Sequence, residues 1–256
     1  MPLRIGVFDS GSGGLTVVRQ IRRLLPSAGI IYLADTANLP YGEKSAETIK
    51  RLAVNNVRFL LSHGAGVIVV ACNTSSSQAM SEMEEVSTVP VLSVVRAGAR
   101  LAVSDRAPRK IALVATQGTI RSGAYQREIR RLAPQCTVEG VACPQLVPLI
   151  ESNAGDEEIE PWVRYYLSQI SPGYERLLLG CTHYPLIADL FKRNLPSDIP
   201  VIDPAEELAQ ELAALPACWE EGDVDFYATG EMQVLKQKAR ETLGLKKVSV
   251  KRAVTE

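Results

Sequence analysis

What most constrains the fold of this chain is a regular alternation of short, continuously apolar runs with longer amphipathic stretches. Runs at 3–8, 30–34, 67–71, 91–94, 111–115, 177–180, 200–202 and 226–228 read as strands. Between them, 15–25, 45–62, 75–85, 123–132, 158–170, 205–214 and 235–244 carry helical periodicity, the last stopped by Gly244. A strand that is apolar at successive positions is covered on both faces, and helical crossovers join strands that run the same way. The pattern therefore predicts an α/β fold with parallel-rich sheets.

A weaker internal repeat divides this pattern in two. The segment Ile5-Gly-Val-Phe-Asp-Ser-Gly resembles Ile111-Ala-Leu-Val-Ala-Thr-Gln-Gly, and Val67-Ile-Val-Val-Ala-Cys-Asn-Thr resembles Leu177-Leu-Leu-Gly-Cys-Thr-His. Each is a strand followed by a polar turn. Such a repeat is either chance similarity among generic strand-turn-helix units or a doubled structural unit, here two similar α/β halves facing each other. The expected boundaries place 1–95 plus 210–256 in the first domain and 96–209 in the second. Cys72 and Cys181 then occupy matching positions.

In open α/β sheets ligands gather at the carboxyl ends of the strands. Four polar turns fall there, at Asp9-Ser10-Gly11, Cys72-Asn73-Thr74, Thr116-Gln117-Gly118-Thr119 and Cys181-Thr182-His183. Three run directly into a predicted helix, whose free N–H groups and positive dipole end favour a carboxylate or phosphate. The glycines after Asp9 spell neither GxGxxG nor GxxxxGK[ST], which speaks against a nucleotide loop.

The five cysteines, at 72, 136, 143, 181 and 218, are odd in number, scattered and free of any CxxC pair. That excludes a disulfide framework and a zinc ribbon, and no metal ligand set is expected. A lone cysteine is ordinarily a small buried hydrophobe, the reading given to Cys136, Cys143 and Cys218. Cys72 and Cys181 differ because a helix N-terminus lowers a thiol pKa and the thiolate is the reactive form. Two thiols facing each other across one site suit inversion of a carbon centre, one base taking a proton from one face while an acid delivers one to the other. Ser10, Asn73, Thr74 and Thr182 are candidate donors to the charge developing on a substrate carboxylate. His183 either exchanges protons beside Cys181 or caps its turn. Asp9 and Asp35 either meet a substrate ammonium or thiol or cap their own turns, and Glu151 either reaches the second thiol or His183 or is solvated at a helix end. His63, before Gly64, reads as a helix C-terminal residue.

Charge narrows the partners. A formal net charge of -1 without a Lys/Arg run speaks against nucleic acid or an anionic membrane as partner. No run spans a bilayer and the chain enters its first strand directly, so a cytoplasmic location is expected.

Eight blocks together resemble the glutamate racemases of the aspartate/glutamate racemase superfamily: IGVFDSGSGGLTV from Ile5, YLADTANLPYGEKS from Tyr32, ACNTSS from Ala71, ATQGTIRSGAY from Ala115, CPQLVPLIE from Cys143, LGCTHYPL from Leu179, IDPAEE from Ile202 and FYATG from Phe226. The resemblance implies two α/β domains in a pseudo-two-fold arrangement, with the active site between them around a buried substrate, and neither pyridoxal phosphate nor metal nor any other cofactor. It implies that Cys72 acts on D-glutamate and Cys181 on L-glutamate, with Asp9 and His183 assisting. Ser10, Tyr41, Gly42, Asn73, Thr74 and Thr182 match substrate contacts, with Thr116 and Thr119 in the third turn. A homodimer that supplies D-glutamate for peptidoglycan is implied too. Arg96-Ala97 stands where the family usually carries Glu-Pro, and Ser12 and Ser75 stand where apolar residues or alanine are commoner. The readings it competes with are an aspartate racemase, a diacid isomerase or decarboxylase, a non-catalytic binding protein and a disulfide oxidoreductase.

Overall fold

The computed structural model describes residues 2–255 and contains two sheets whose strands pair in parallel throughout. In chain order the strands are β1 (Arg4–Asp9), β2 (Ile30–Ala34), β3 (Ala65–Val70), β4 (Val91–Ser93), β5 (Lys110–Ala115), β6 (Thr137–Ala142), β7 (Arg176–Gly180), β8 (Val201–Ile202), β9 (Val224–Ala228) and β10 (Val250–Arg252). The first sheet has the order β10-β9-β2-β1-β3-β4 and the second the order β6-β5-β7-β8. The block β2-β1-β3-β4 thus repeats as β6-β5-β7-β8, and the internal repeat read from the sequence joins β1 to β5 and β3 to β7. The α/β, parallel-sheet expectation holds.

All eight predicted strands are present. The two that pattern reading misses lie at sheet edges, where alternation is weak. β6 carries Glu139 and Gly140 in mid-strand, and β10 is Val250-Lys251-Arg252 with both cations exposed, a composition that keeps an edge from pairing further. The predicted helix 75–85 is two short helices, Asn73–Gln78 and Met80–Val86, parted at Ala79, whose φ of -133° leaves the helical range. Helix Ala46–Ser62 shows how local chemistry sets the ends. Ser45 accepts the N–H of Thr48 at its start, and His63 followed by Gly64 at φ +85° closes it.

The halves meet through helices as well as through the site. Helix Val94–Val103, hidden in the sequence because it follows β4 without a break, packs on Pro204–Ala213 and on Ala124–Leu132. One hydrophobic cluster runs from Ile5 and Val7 through Val95, Ala97 and Ala99 to Ile111, Leu113, Tyr125 and Leu208, so the cores of both sheets are continuous. Gly98 sets how closely these helices approach. A Cβ there would stand 2.8 and 2.9 Å from the Pro204 ring and 3.1 Å from Tyr125 Oη. Arg96, the departure from the family pattern, turns outward and pairs with Glu84, while Ala97 is buried.

Alanine in place of a helical glycine is ordinarily favourable by about 0.5–1 kcal/mol. At position 98 the rigid ring of Pro204 cannot yield, and overpacking of this kind costs about 1–3 kcal/mol. Gly98→Ala is therefore expected to lower the urea unfolding midpoint, and an unchanged or raised midpoint would show that the helices have room to part.

Candidate active site

The carboxyl ends of the central strands of both sheets converge on one cavity. β1 ends at Asp9 and leads to Ser10; β3 leads to Cys72-Asn73-Thr74; β5 leads to Thr116; β7 leads to Cys181-Thr182-His183. Ser10, Tyr41, Gly42, Cys72, Asn73, Thr74, Thr116, Cys181, Thr182 and His183 all line the cavity. All of these but Tyr41 and Gly42 sit just past a strand, because parallel strands point their carboxyl ends to one edge and chain reversal at β1 and β5 opens a crevice there. Both cysteines are free thiols, Cys72 4 % and Cys181 5 % exposed. Among the described residues, no group of three or more His, Cys, Asp and Glu side chains is arranged to hold a metal ion.

Hydroxyl groups from the two halves meet across the cavity. Thr74 Oγ1 and Thr116 Oγ1 are 2.9 Å apart, and Thr116 Oγ1 is 3.0 Å from Thr119 Oγ1. Thr119 itself is buried behind Thr116 and takes no part in the lining. Tyr125 donates to Asn73 Oδ1 at 2.7 Å, which fixes the amide so that its NH2 is left for the cavity. Cys72 Sγ lies 3.7 Å from Ser10 Oγ. No lysine or arginine lines the cavity, so an anionic ligand is met by hydroxyl, amide and backbone donors rather than by a cation.

Of the carboxylates, Glu43 lines the cavity, whereas Asp9, Asp35 and Glu151 stand one layer back. Asp9 is fully buried: its Oδ2 accepts the N–H groups of Gly11 and Gly14, and its Oδ1 accepts the Thr182 hydroxyl at 3.3 Å. Burial raises its pKa, against the lowering effects of nearby His183 and the two backbone bonds. Asp35, also fully buried, accepts from Tyr41, from Asn38 and from Thr229 at 2.6 Å, and so orients the Tyr41 ring against the cavity. Glu151 Oε1 accepts from His183 Nε2 at 2.6 Å and from Ser12 Oγ at 2.9 Å. The glycine turn after Asp9 is packed tightly onto the other half. A Cβ on Gly13 would lie 2.5 Å from both His183 Nδ1 and Thr182 Oγ1.

The two thiols have different surroundings. Burial pushes Cys72 up to about 11, helped by the Asp9 charge and opposed by bonds from Ser75 and Ser10. The sequence-based expectation of a lowered pKa at this helix N-terminus is thus reversed, because desolvation of the thiolate outweighs the dipole of a helix only six residues long. Nor does Cys181 open directly into an α-helix. A 3-10 turn, Tyr184–Ile187, comes between it and Ala188–Arg193. Cys181 Sγ instead faces His183 Nδ1 at 3.8 Å. Burial works downward on His183, but its bonds to Cys181 and Glu151 and their charges prevail and hold it well above 6.5. Burial works upward on Glu151, yet the bonds from His183 and Ser12 bring it to about 2. His183 and Glu151 are accordingly an imidazolium–carboxylate pair at neutral pH.

Sequence reading missed one wall of the cavity. Leu39, Pro40, Cys143, Pro144, Val147 and Pro148 line it. Cys143 followed by Pro144 after β6 occupies the strand-end position that should have drawn notice, but β6 itself carries too weak a pattern. Burial raises the Cys143 thiol, and its Sγ points back to Val141 O.

With this geometry in place, comparison with known proteins is direct. Residues 5–212 match the family described as Asp/Glu/Hydantoin racemase. A glutamate racemase of Persephonella marina is 42 % identical over 91 % of this chain and 87 % of its own, and one of Streptococcus sanguinis is 36 % identical over 94 % and 95 %. Among solved structures, glutamate racemase isoform RacE1 of Bacillus anthracis superposes with a TM-score of 0.92 at 33 % identity, covering 98 % of this chain and 97 % of that one. The Francisella tularensis glutamate racemase in complex with D-glutamate gives 0.91 at 31 %, covering 99 % and 98 %. The chain belongs to the Asp/Glu/Hydantoin racemase family. It is an enzyme of the isomerase class, an amino-acid racemase.

The ion pair makes a sign-definite prediction. A carboxyl depressed from 4.5 to about 2 contributes stability that is present above 4.5 and lost as pH falls toward 2. An imidazole held above 6.5 contributes stability present below 6.5 and lost as pH rises through its folded value. In Glu151→Gln the acid-side loss of stability between about pH 4.5 and 2 is expected to shrink, and the His183 imidazole, followed by NMR, to titrate lower than in wild type. An unmoved His183 titration would mean that Cys181 alone sustains the imidazolium.

Proposed function

We propose that this enzyme interconverts L- and D-glutamate without a cofactor, by proton transfer between the substrate α-carbon and two thiols, Cys72 and Cys181. The observation that carries the reading is that two buried thiols, each following the same strand of a repeated four-strand block, open onto one cavity. A single base tends to return a proton to the face it came from, whereas two groups on opposite faces complete an inversion.

For D-glutamate, the Cys72 thiolate takes the α-proton and becomes a thiol while the Cys181 thiol gives its proton to the opposite face. One proton enters and one leaves, and the opposite direction reverses the roles. Charge that moves onto the α-carboxylate in the transition state is met by Ser10, Asn73 and Thr74 donors, the Thr182 hydroxyl proton being committed to Asp9. His183 Nδ1 lies 3.8 Å from Cys181 Sγ, beside the thiol that acts when L-glutamate is the substrate. Glu151 keeps the His183 imidazolium charged and Asp9 fixes the Thr182 hydroxyl. Glutamate is favoured over aspartate by the identity of the relatives and by the Asp-Thr-Ala-Asn block from Asp35, which brings Tyr41-Gly42 to the cavity. Supply of D-glutamate for peptidoglycan by a homodimer rests on the family resemblance, a cytoplasmic location on the sequence pattern, and the division into domains 1–95 plus 210–256 and 96–209 on the internal repeat.

Circular dichroism with each enantiomer and no added cofactor tests the reading. Wild type is expected to abolish the optical activity of both L- and D-glutamate, and Cys72→Ser and Cys181→Ser each to lose about 10²–10⁴-fold in rate. Decay of aspartate but not of glutamate would move the substrate. Full activity in either variant would remove the two-thiol mechanism.

A further inference from the structure

The inner face of the C-terminal helix Met232–Leu243 is apolar at Leu235 and Ala239, both fully buried, yet it carries Lys238 between them at 6 % exposure. A buried ammonium is costly unless its protons are used, and a methionine would fill the same space without that cost. Lys238 Nζ donates to Ile150 O at 2.9 Å and to Asn153 Oδ1. Both acceptors are neutral, so these bonds balance no carboxylate. Both belong to the turn that ends helix Leu146–Glu151, 88 and 85 residues earlier in the chain.

That turn is where Glu151 stands. The Ile150 carbonyl and the Glu151 N–H share one rigid peptide plane, so a group that holds the carbonyl also sets the direction in which the Glu151 side chain departs. Ile150 O accepts twice, from Lys238 and from the Asn153 N–H at 3.2 Å. Asn153 takes φ +58°, the left-handed conformation that reverses the chain here. Ser152 and Asn153 are exposed, and a glutamate beside such a turn gains conformational freedom by swinging its carboxylate into water. Glu151 instead points inward, Oε1 accepting from His183 Nε2 at 2.6 Å and from Ser12 Oγ at 2.9 Å. We infer that Lys238 is a positioning residue for the proton-transfer site: by holding Ile150 O and Asn153 Oδ1 it fixes the turn from which Glu151 reaches His183, and so ties the C-terminal helix to the Cys181 side of the cavity.

The inference rests on the two-thiol reading for its role in turnover, and its test separates the two. The His183 imidazole is titrated by NMR, without substrate, in wild type, Lys238→Met, Asn153→Gly, Glu151→Gln and the Lys238→Met/Glu151→Gln double variant. The titratable groups facing His183 are Glu151 and Cys181, in contact with its ring, and Asp9, whose charge acts on it from β1. Lys238→Met and Asn153→Gly leave all three in the chain. Removing the lysine charge acts directly to raise the imidazole pKa, whereas loosening Glu151 lowers it, so the sign of the shift tells the two apart. His183 is expected to lose roughly three- to ten-fold in proton affinity in Lys238→Met, in the direction of Glu151→Gln. Asn153→Gly, in which glycine keeps the left-handed turn but drops one acceptor, is expected to shift it the same way by less. In the Glu151→Gln background Lys238→Met is expected to add little, because the lysine acts through Glu151. Racemisation followed by circular dichroism is expected to show kcat down by about ten-fold or more in Lys238→Met, with KM changed less than about three-fold, since Ser10, Asn73 and Thr74 stand on other turns. A His183 titration that is unmoved or raised in folded Lys238→Met would overturn the proposal, and with a lowered thermal midpoint it would make the lysine a support of the fold alone. So would a shift that adds in full to that of Glu151→Gln. Should Lys238→Met not fold, an unmoved His183 in Asn153→Gly overturns it equally. Downward shifts in a wild-type background that racemises no glutamate would keep Lys238 and discard the substrate.

Discussion

The buried carboxylate of Asp9 is the constraint on which the site depends. A fully desolvated carboxyl group is costly unless every lone pair is used, and this one is used in three directions. Two bonds tighten the turn from Gly11 to Gly14, so that the backbone presses against Thr182 and His183 at a distance no side chain would permit. The third crosses to the Thr182 hydroxyl in the other half. Thr16 adds a bond to Thr182 O at 3.0 Å, and Ser12 joins Glu151 from the same turn. The first strand of the chain therefore sets the position of the loop that carries the second thiol.

Doubling of the strand block explains why two thiols share one cavity, and the differences between the halves explain why they are not alike. Cys72 is surrounded by serines and approached by a negative charge, whereas Cys181 faces an imidazole kept charged by a carboxylate. In the first half the side chain in contact with the sulfur is a neutral hydroxyl, and in the second it is an imidazole paired with a carboxylate. Burial governs both, since in a dry cavity a hydroxyl or an imidazolium has an effect that water would dilute.

The parts legible in the sequence are those where a strand ends abruptly in a polar turn. Ser10, Cys72, Asn73, Thr74, Thr116, Cys181, Thr182 and His183 all follow strongly apolar runs, and all reach the cavity. Two of the four edge strands, β6 and β10, are illegible because an edge is half solvated, which leaves Lys251, Arg252 and Glu139 where an interior strand would have valine. The wall built from Cys143 to Pro148 shares that origin. Layering is also invisible to pattern. Asp9, Asp35, Thr119 and Glu151 lie behind the cavity rather than in it, and a side chain's depth depends on what other segments bring beside it. The acidity of Cys72 was misjudged for the same reason: the dipole of its helix can be read from sequence, but the degree of desolvation cannot.

The strand order has a consequence for a chain emerging from the ribosome. β5 to β8 form an uninterrupted run, so the second sheet has all its strands once residue 202 is available. The first sheet is different, because β2 keeps an open edge until β9 arrives more than two hundred residues after β1 began. Such an edge is a template for the wrong partner. Lys238, buried on the C-terminal helix and bonded to Ile150 O, likewise arrives late and grips the turn that carries Glu151. A nascent polypeptide thus holds a half-made pocket with an unprotected strand beside it, and its most vulnerable interval is the synthesis of its last quarter.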